Sequence, residues 1–184
     1  MSLLPPTPGQ TVGPFFGYAL PYDDGPRLVP PHLPGAVQLH GTVYDGAGAP
    51  VPDAVLEIWQ SDGEGRVPTA RGSLRRDGRT FTGFGRCATR DDGTYSFTTV
   101  VPGEGVGGTA PFIAVVLFAR GLMHKLHTRI YLPQYASRND AAPFLQALDP
   151  AERATVTAVQ EPDGSLRHDL HLQGDLETVF LAFD

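Results

Sequence analysis

The sequence predicts an all-β fold: a two-layer β-sandwich with a short helical excursion and an N-terminal arm. Short apolar stretches recur with a period of two, and 22 glycines and 18 prolines punctuate the 184 residues. Turn-forming clusters follow almost every apolar stretch, and no helical period is sustained. A chain of this length fits one domain and can bury roughly 70% of the surface its unfolded form exposes. Residues 1–36 read as the arm and 37–184 as the sandwich.

The arm is rich in Pro and Gly yet carries Phe15, Phe16, Tyr18 and Tyr22. Aromatic surface left in water forfeits about 25 cal/mol per Å² of burial, so the arm is expected to lie on something, either its own domain or another chain. Val37 to Tyr44 alternates, with Val37, Leu39 and Val43 on one face, and the turn sequence Asp45-Gly46-Ala47-Gly48 ends it. Ala54 to Gln60 is the next strand, with Ala54, Leu56 and Ile58 facing one way. Val67 to Thr80, which carries Arg71, Arg75, Arg76 and Arg79, reads as a polar surface loop. Thr94 to Val100 follows an Asp91-Asp92-Gly93 turn and places Tyr95 and Phe97 on one face. The unbroken apolar run Phe112 to Ala119 predicts a strand buried on both faces. His124 to Leu132 is another strand. Asn139 and Asp149 are expected helix N-caps, with Pro150 at a first helical position. Thr155 to Gln160, Leu166 to Leu172 and Glu177 to Phe183 complete the predicted strands.

A net charge of −6 with no Lys/Arg run lacks the electrostatic footprint of a nucleic-acid binder. Cys87 has no companion for a disulfide, which fits a reducing compartment, and the expected location is the cytoplasm. Pro5, Pro6 and Pro8 interrupt the place where a signal peptide needs its apolar core. No apolar run approaches the ~20 residues that cross a bilayer, so no membrane association is expected.

Chemistry-bearing side chains are sparse. Neutral imidazole is a common metal ligand, but His124 and His127, like His168 and His171, stand three apart in predicted strands, where such side chains point to opposite faces. Local chelation is not expected. Cys87 reads as a buried, inert thiol. Gly103 to Gly108 lacks the Lys-Ser/Thr of a phosphate loop, and no serine has a nucleophile-elbow context.

The order of motifs says more. Gly41-Thr-Val-Tyr-Asp-Gly-Ala-Gly-Ala-Pro50-Val51, Ala54-Val-Leu-Glu-Ile-Trp59-Gln60, Gly83-Phe-Gly-Arg86-Cys87-Ala-Thr89, Gly93-Thr-Tyr95-Ser-Phe97-Thr98-Thr99, Pro102-Gly103 and Leu126-His-Thr-Arg-Ile-Tyr131-Leu together resemble the intradiol ring-cleavage dioxygenase family. The resemblance covers residues 37 to 132 and implies a sandwich of the intradiol dioxygenase type. Catalytic members hold ferric iron with two tyrosines and two histidines, the histidines two apart on one strand. Alignment back from Thr128 places the histidine positions at Phe112 and Ala114, and the tyrosine positions at Val67 and near Gly105. None of these side chains can ligate a hard ferric ion.

Loss of all four ligands with the frame retained resembles the iron-free alpha-type subunits of the family. Thr7-Pro8-Gly9-Gln10-Thr11-Val12-Gly13-Pro14-Phe15-Phe16 and Leu117-Phe118-Ala119-Arg120-Gly121 resemble runs of those chains. The resemblance implies an alpha-beta hetero-oligomer with a catalytic beta subunit that binds Fe(III), an arm packed on that partner, and protocatechuate (3,4-dihydroxybenzoate) and O₂ as substrates. It further implies that Thr11, Gly13 and Pro14 help line the substrate cavity and that Arg120 lies near it. Physically, a Gly-Pro turn fixes the backbone at low bulk, and an arginine fork suits a carboxylate. An ordinary surface or interchain ion pair is the competing role for Arg120.

Two other functions fit parts of the sequence. A non-catalytic binding module of the transthyretin-like or carboxypeptidase-regulatory-like type would share Gly41 to Ile58 and Gly93 to Pro102, but has no reason to carry the arm or the Phe-Ala-Arg-Gly run. A metalloenzyme using His124, His127, His168 and His171 across strands would need those residues to converge.

Overall fold

The structure, a computed structural model, describes residues 11–13, 15–69, 76–105 and 108–183. Alternation builds the first sheet. β1 (Ala36–Tyr44) buries Leu39, Gly41 and Val43 and pairs antiparallel with β4 (Thr94–Val100) through Leu39↔Phe97. Its other edge pairs parallel with β8 (Leu166–Arg167) and then with β9 (Leu170–His171); β7 (Val159–Gln160) flanks β8. The second sheet has the order β3-β2-β5-β6, from β3 (Phe84–Ala88), β2 (Val55–Trp59), β5 (Phe112–Phe118) and β6 (Leu126–Tyr131), all antiparallel.

The two inner faces close on one core. Leu39, Val43, Tyr95, Phe97, Leu166 and Leu170 come from the first sheet, and Leu56, Ile58, Cys87, Ile113, Val115, Leu117 and Ile130 from the second. This is the two-layer sandwich that the period-two pattern predicts. Buried polar groups are paired across the layers: Thr99 donates to Gln60 Oε1 at 2.8 Å, and Gln60 Nε2 donates to the Val100 carbonyl at 2.8 Å. A second apolar cluster forms where Tyr131, Ala142, Leu145 and Val156 meet Phe112 and Phe144. It lies under the helical excursion, which comprises a 3₁₀ turn (Pro133–Tyr135), α2 (Ala136–Ala141), α3 (Pro143–Gln146) and α4 (Pro150–Thr155).

Several expectations are corrected. β5 is buried on one face only: Ile113, Val115 and Leu117 are sealed, while Phe112, Ala114, Val116 and Phe118 face a partly covered outer surface. Its apolar run is therefore shared between a core and an outer layer. β3 was not anticipated, because Gly85 and Arg86 dilute its pattern. Gly85 is needed there, since a Cβ would lie 2.5 Å from the Leu28 side chain. Asp149 caps α4 with a full capping box, but Asn139 lies inside α2, where its buried Nδ2 donates to the Leu132 carbonyl at 2.9 Å. The helix claims Thr155, leaving only Val159–Gln160 as strand. Glu177 to Phe183 forms no strand. It runs beside β6, held by the Leu181 N–H on the His127 carbonyl and by Thr128 Oγ1, which donates to the Val179 carbonyl at 2.7 Å. A side chain takes the place of the ladder there.

Within residues 1–36, the stretch from Phe16 onward lies on the chain's own sheets. Leu28 and Val29 are buried, the Leu28 and Thr98 N–H groups exchange bonds with the Thr98 and Pro26 carbonyls, and α1 (Phe16–Ala19) buries Phe16. Residues 1–10 and Pro14 lie outside the described residues, as do Arg71 and Arg75.

Candidate functional site

Strand pairing fixes two of the four motif-derived positions, Phe112 and Ala114, at the start of β5. β2 leaves the sheet after Trp59, which is opposite Ala114 in register, and leads to Val67. The segment after β4 crosses it, where the Gly103 N–H donates to the Asp62 carbonyl at 2.8 Å. Contact is so close that a Cβ on Gly65 would lie 1.8 Å from the Glu104 carbonyl oxygen. Gly105 follows, and then Phe112 and Ala114, two apart on one face of β5 as their spacing requires. The side chains at the positions that the resemblance assigns to ligands supply no donors. Valine, glycine, phenylalanine and alanine offer no side-chain oxygen or nitrogen, so these residues do not fit a ferric ion. Among the described residues, no group of three or more His, Cys, Asp or Glu could hold a metal.

Arg129 fills part of that end. It pairs with Ala114 across β5 and β6, and its guanidinium stands 4.4 Å from the centroid of Phe112 and 5.4 Å from that of Phe144. Tyr131, opposite Phe112, adds a tilted ring contact at 5.7 Å. A cation stacked on two aromatic rings replaces a cation held by ligands. In the sequence Arg129 stands only as one residue of the Leu126 to Leu132 motif, and its alternate position on β6 is the signal it offers.

The histidines do not converge. His124 is exposed before β6 begins, and His127 lies edge-on to Phe183 at 5.0 Å, its imidazole pKa lowered by burial and by Lys125. His171 stacks on Tyr44 at 4.9 Å. His168 is buried between β8 and β9. Its Nε2 lies 3.0 Å from the Thr155 carbonyl, to which it donates as Nε2–H, and its Nδ1 has no partner. Burial pushes this imidazole down to about 4, against the smaller raising effects of the Thr155 bond and Asp169. Cys87 faces the core, where burial raises its thiol pKa.

Of the residues assigned to the substrate cavity, Thr11 is exposed and Gly13 sits at φ 76°, a left-handed conformation that favours glycine. Pro14 lies outside the described residues. Arg120 follows β5 and pairs through Nε with Asp53 at 3.1 Å; its side chain is 68% exposed, so the pair leaves most of its donors free for solvent or another chain.

Comparison with known proteins accords with this frame. A family model described as "Dioxygenase" matches residues 12–110. The chain belongs to the intradiol dioxygenase family. Within it, the chain is similar over its whole length to two protocatechuate 3,4-dioxygenase alpha chains. It is 39% identical to that of Burkholderia cepacia, covering 98% of each chain. It is 40% identical to that of Pseudomonas putida, covering 100% of this chain and 99% of the relative. The beta chain of the Burkholderia cepacia enzyme is 33% identical over 50% of this chain and 43% of its own length. Among solved structures, the dioxygenase domain of a dioxygenase carbohydrate-binding protein fusion from Streptomyces sp. SirexAA-E superposes with a TM-score of 0.59. That match has 27% identity and covers 91% of this chain and 96% of that one.

Proposed function

We propose that this chain is the iron-free alpha subunit of a protocatechuate 3,4-dioxygenase. The observation that carries the proposal is whole-chain identity of 39–40% to alpha chains, joined to a retained frame whose four ligand positions have lost every donor. The assembly inserts both atoms of O₂ into 3,4-dihydroxybenzoate and cleaves the bond between the two hydroxyl-bearing carbons to give 3-carboxy-cis,cis-muconate. Fe(III) on the catalytic beta subunit supplies the oxygen chemistry. This chain shapes the pocket and holds the assembly together.

Its own residues support that division of labour. Val12, Phe15 and Tyr18 expose 44%, 75% and 87% of their surface, while Phe16 is buried and the chain from Leu20 onward is tied to the sandwich. The arm can therefore lay its first segment on a partner while its second segment anchors it. On this reading Thr11 and Gly13 help line the partner's substrate cavity, a role the family resemblance also implies for Pro14. Arg120, whose one ion pair among the described residues is with the half-buried carboxylate of Asp53, has the donors to orient a substrate carboxylate beside it. No helix of the described residues is long and apolar enough to cross a membrane, and the lone buried cysteine fits a cytoplasmic location.

Co-expression with the neighbouring reading frame tests this reading. Iron and protocatechuate-dependent oxygen uptake are expected only in the co-purified complex; stoichiometric iron or ring cleavage by this chain alone overturns it. Substituting Arg120→Ala in the complex is expected to raise KM for protocatechuate about tenfold, with kcat changing less. An unchanged KM removes Arg120 from the pocket.

A further inference from the structure

A cavity of about 290 Å³ opens between the Asp24–Leu33 segment and the Arg76–Phe81 loop, and neither Phe112 nor Ala114 lines it. Its floor is apolar: Leu28 and Val29 are buried, and Phe81 packs on the core. Leu33, 41% exposed, stands at the rim, and Pro30 and Pro31 complete the apolar wall. Three guanidiniums line it, from Arg27, Arg76 and Arg79, against the single carboxylate of Asp24. The chain as a whole carries −6, so a cavity with two excess positive charges runs against the background.

Arg76 is the unusual member. It is partly buried, and every oxygen it bonds is neutral: Thr82 Oγ1 at 2.7 Å, Tyr22 Oη at 3.2 Å, and the carbonyls of Gly25 at 3.2 Å and Phe84 at 2.5 Å. Its Nε is buried without a partner, and no carboxylate pairs with it among the described residues. Asp24 is already paired with Arg27 at 2.8 Å, in an exposed pair that exchanges readily for a better anion. A guanidinium held partly out of water is stabilised by an anion, and a planar fork selects a carboxylate.

We propose that this cavity binds a small organic anion, a carboxylate on an apolar body about one ring in size. The lining joins guanidiniums to apolar side chains, so such a molecule sets its carboxylate toward Arg76 and Arg79 and its body over Leu28, Val29 and Phe81. The volume is at the lower limit of ligand pockets, roughly 300–1,000 Å³, and excludes larger occupants. None of the residues assigned to the partner's substrate cavity takes part, so the inference does not depend on that reading.

The test is ¹⁹F NMR titration of 4-fluorobenzoate into the full chain as purified, together with any partner that accompanies it. Arg79→Gln and Leu33→Glu are compared with the wild type, because both side chains are exposed and neither supports the core. The expected result is a saturable site, one per copy of this chain. Arg79→Gln should weaken it about tenfold and Leu33→Glu should abolish it, with thermal unfolding unchanged. 4-Fluorotoluene, which lacks the charge, should bind at least about tenfold more weakly. Equal binding by both variants, or equal affinity for 4-fluorotoluene, overturns the proposal. Uptake by the free chain but not by the assembled complex overturns it too, since the cavity is then a docking surface for the partner.

Discussion

Arg86 ties three parts of the molecule together from one side chain. On the outer face of the second sheet, its Nε donates to Glu57 Oε1 at 2.8 Å across β2 and β3, and its Nη1 donates to the Leu20 carbonyl at 2.7 Å. Tyr22 lies under the same guanidinium at 5.7 Å. The pair is mostly buried, with 16% and 21% of the two side chains exposed. Arg86→Ala therefore strands a carboxylate and frees the entry of the arm; a loss of about 2 kcal/mol in urea unfolding is expected. Arg86→Lys should recover less than half of it, because an ammonium lacks the fork that serves both acceptors.

His168 gives the molecule a pH dependence with a defined sign. Its folded-state value is about 4 against an ordinary value of 6.5, so between these limits the unfolded chain binds the extra proton. Stability is full above pH 6.5, falls as pH drops toward 4 and levels below it, by up to about 3 kcal/mol. Urea unfolding from pH 7 to 4 should show this slope, and His168→Gln should flatten it. Asp77, Asp92 and Asp163, whose carboxyls are held low by turn hydrogen bonds, contribute only at lower pH. A slope that persists in the variant assigns the dependence elsewhere.

At the scale of elements, the junction of β1 with β8 and β9 depends on one glycine. A Cβ at Gly41 would lie 1.8 Å from the His168 carbonyl oxygen, which is backbone and cannot move aside. That approach lets β1 pair parallel with β8 through His40↔Arg167 and with β9 through Val43↔Leu170, on either side of His168. Gly41→Ala should cost more than about 3 kcal/mol and broaden the unfolding transition, as strand separation at the junction predicts. The helical excursion is less demanding. Asp149 accepts from the Ala151 and Glu152 N–H groups at 2.8 and 2.9 Å, so Asp149→Ala should cost about 1 kcal/mol, readable as a small shift of the urea midpoint.

For the whole molecule, the boundary of the sandwich falls inside the arm. Leu28 and Val29 are buried, and the carbonyl of Pro26 accepts from Thr98, so removal of residues 1–36 should cost about 4 kcal/mol or more. Removal of residues 1–15 should leave the unfolding transition in place and weaken association with the partner in size-exclusion chromatography. Loss of stability in the shorter truncation would move the anchor toward the N-terminus. The positions that the family resemblance assigns to iron ligands are testable at this scale as well. Phe112→His with Ala114→His restores two donors of four, and no stoichiometric ferric iron is expected while Val67 and Gly105 remain.

By itself the sequence determined the layers and the family. Alternation in Val37 to Tyr44 and Thr94 to Val100 is a local property, visible wherever one face is buried and one is not. The motif order from Gly41 to Tyr131 carries the family, and with it the expectation that the ligand positions fall on Val67, near Gly105, and on Phe112 and Ala114. Tertiary structure alone decided what depends on partners distant in the chain. β8 and β9 join β1 across more than a hundred residues, and the pairing rests on backbone approach at Gly41, which no hydrophobic period encodes. Asn139 lies inside a helix because the Leu132 carbonyl needs a donor there, and Glu177 to Phe183 misses strand geometry because the Thr128 hydroxyl takes one of its carbonyls. Arg129 over Phe112, and the cationic cavity between the arm and the Arg76 loop, arise where separate segments meet in space. Charge and aromatic surface at such meeting points depend on packing, whereas composition and spacing report only what each segment brings to it.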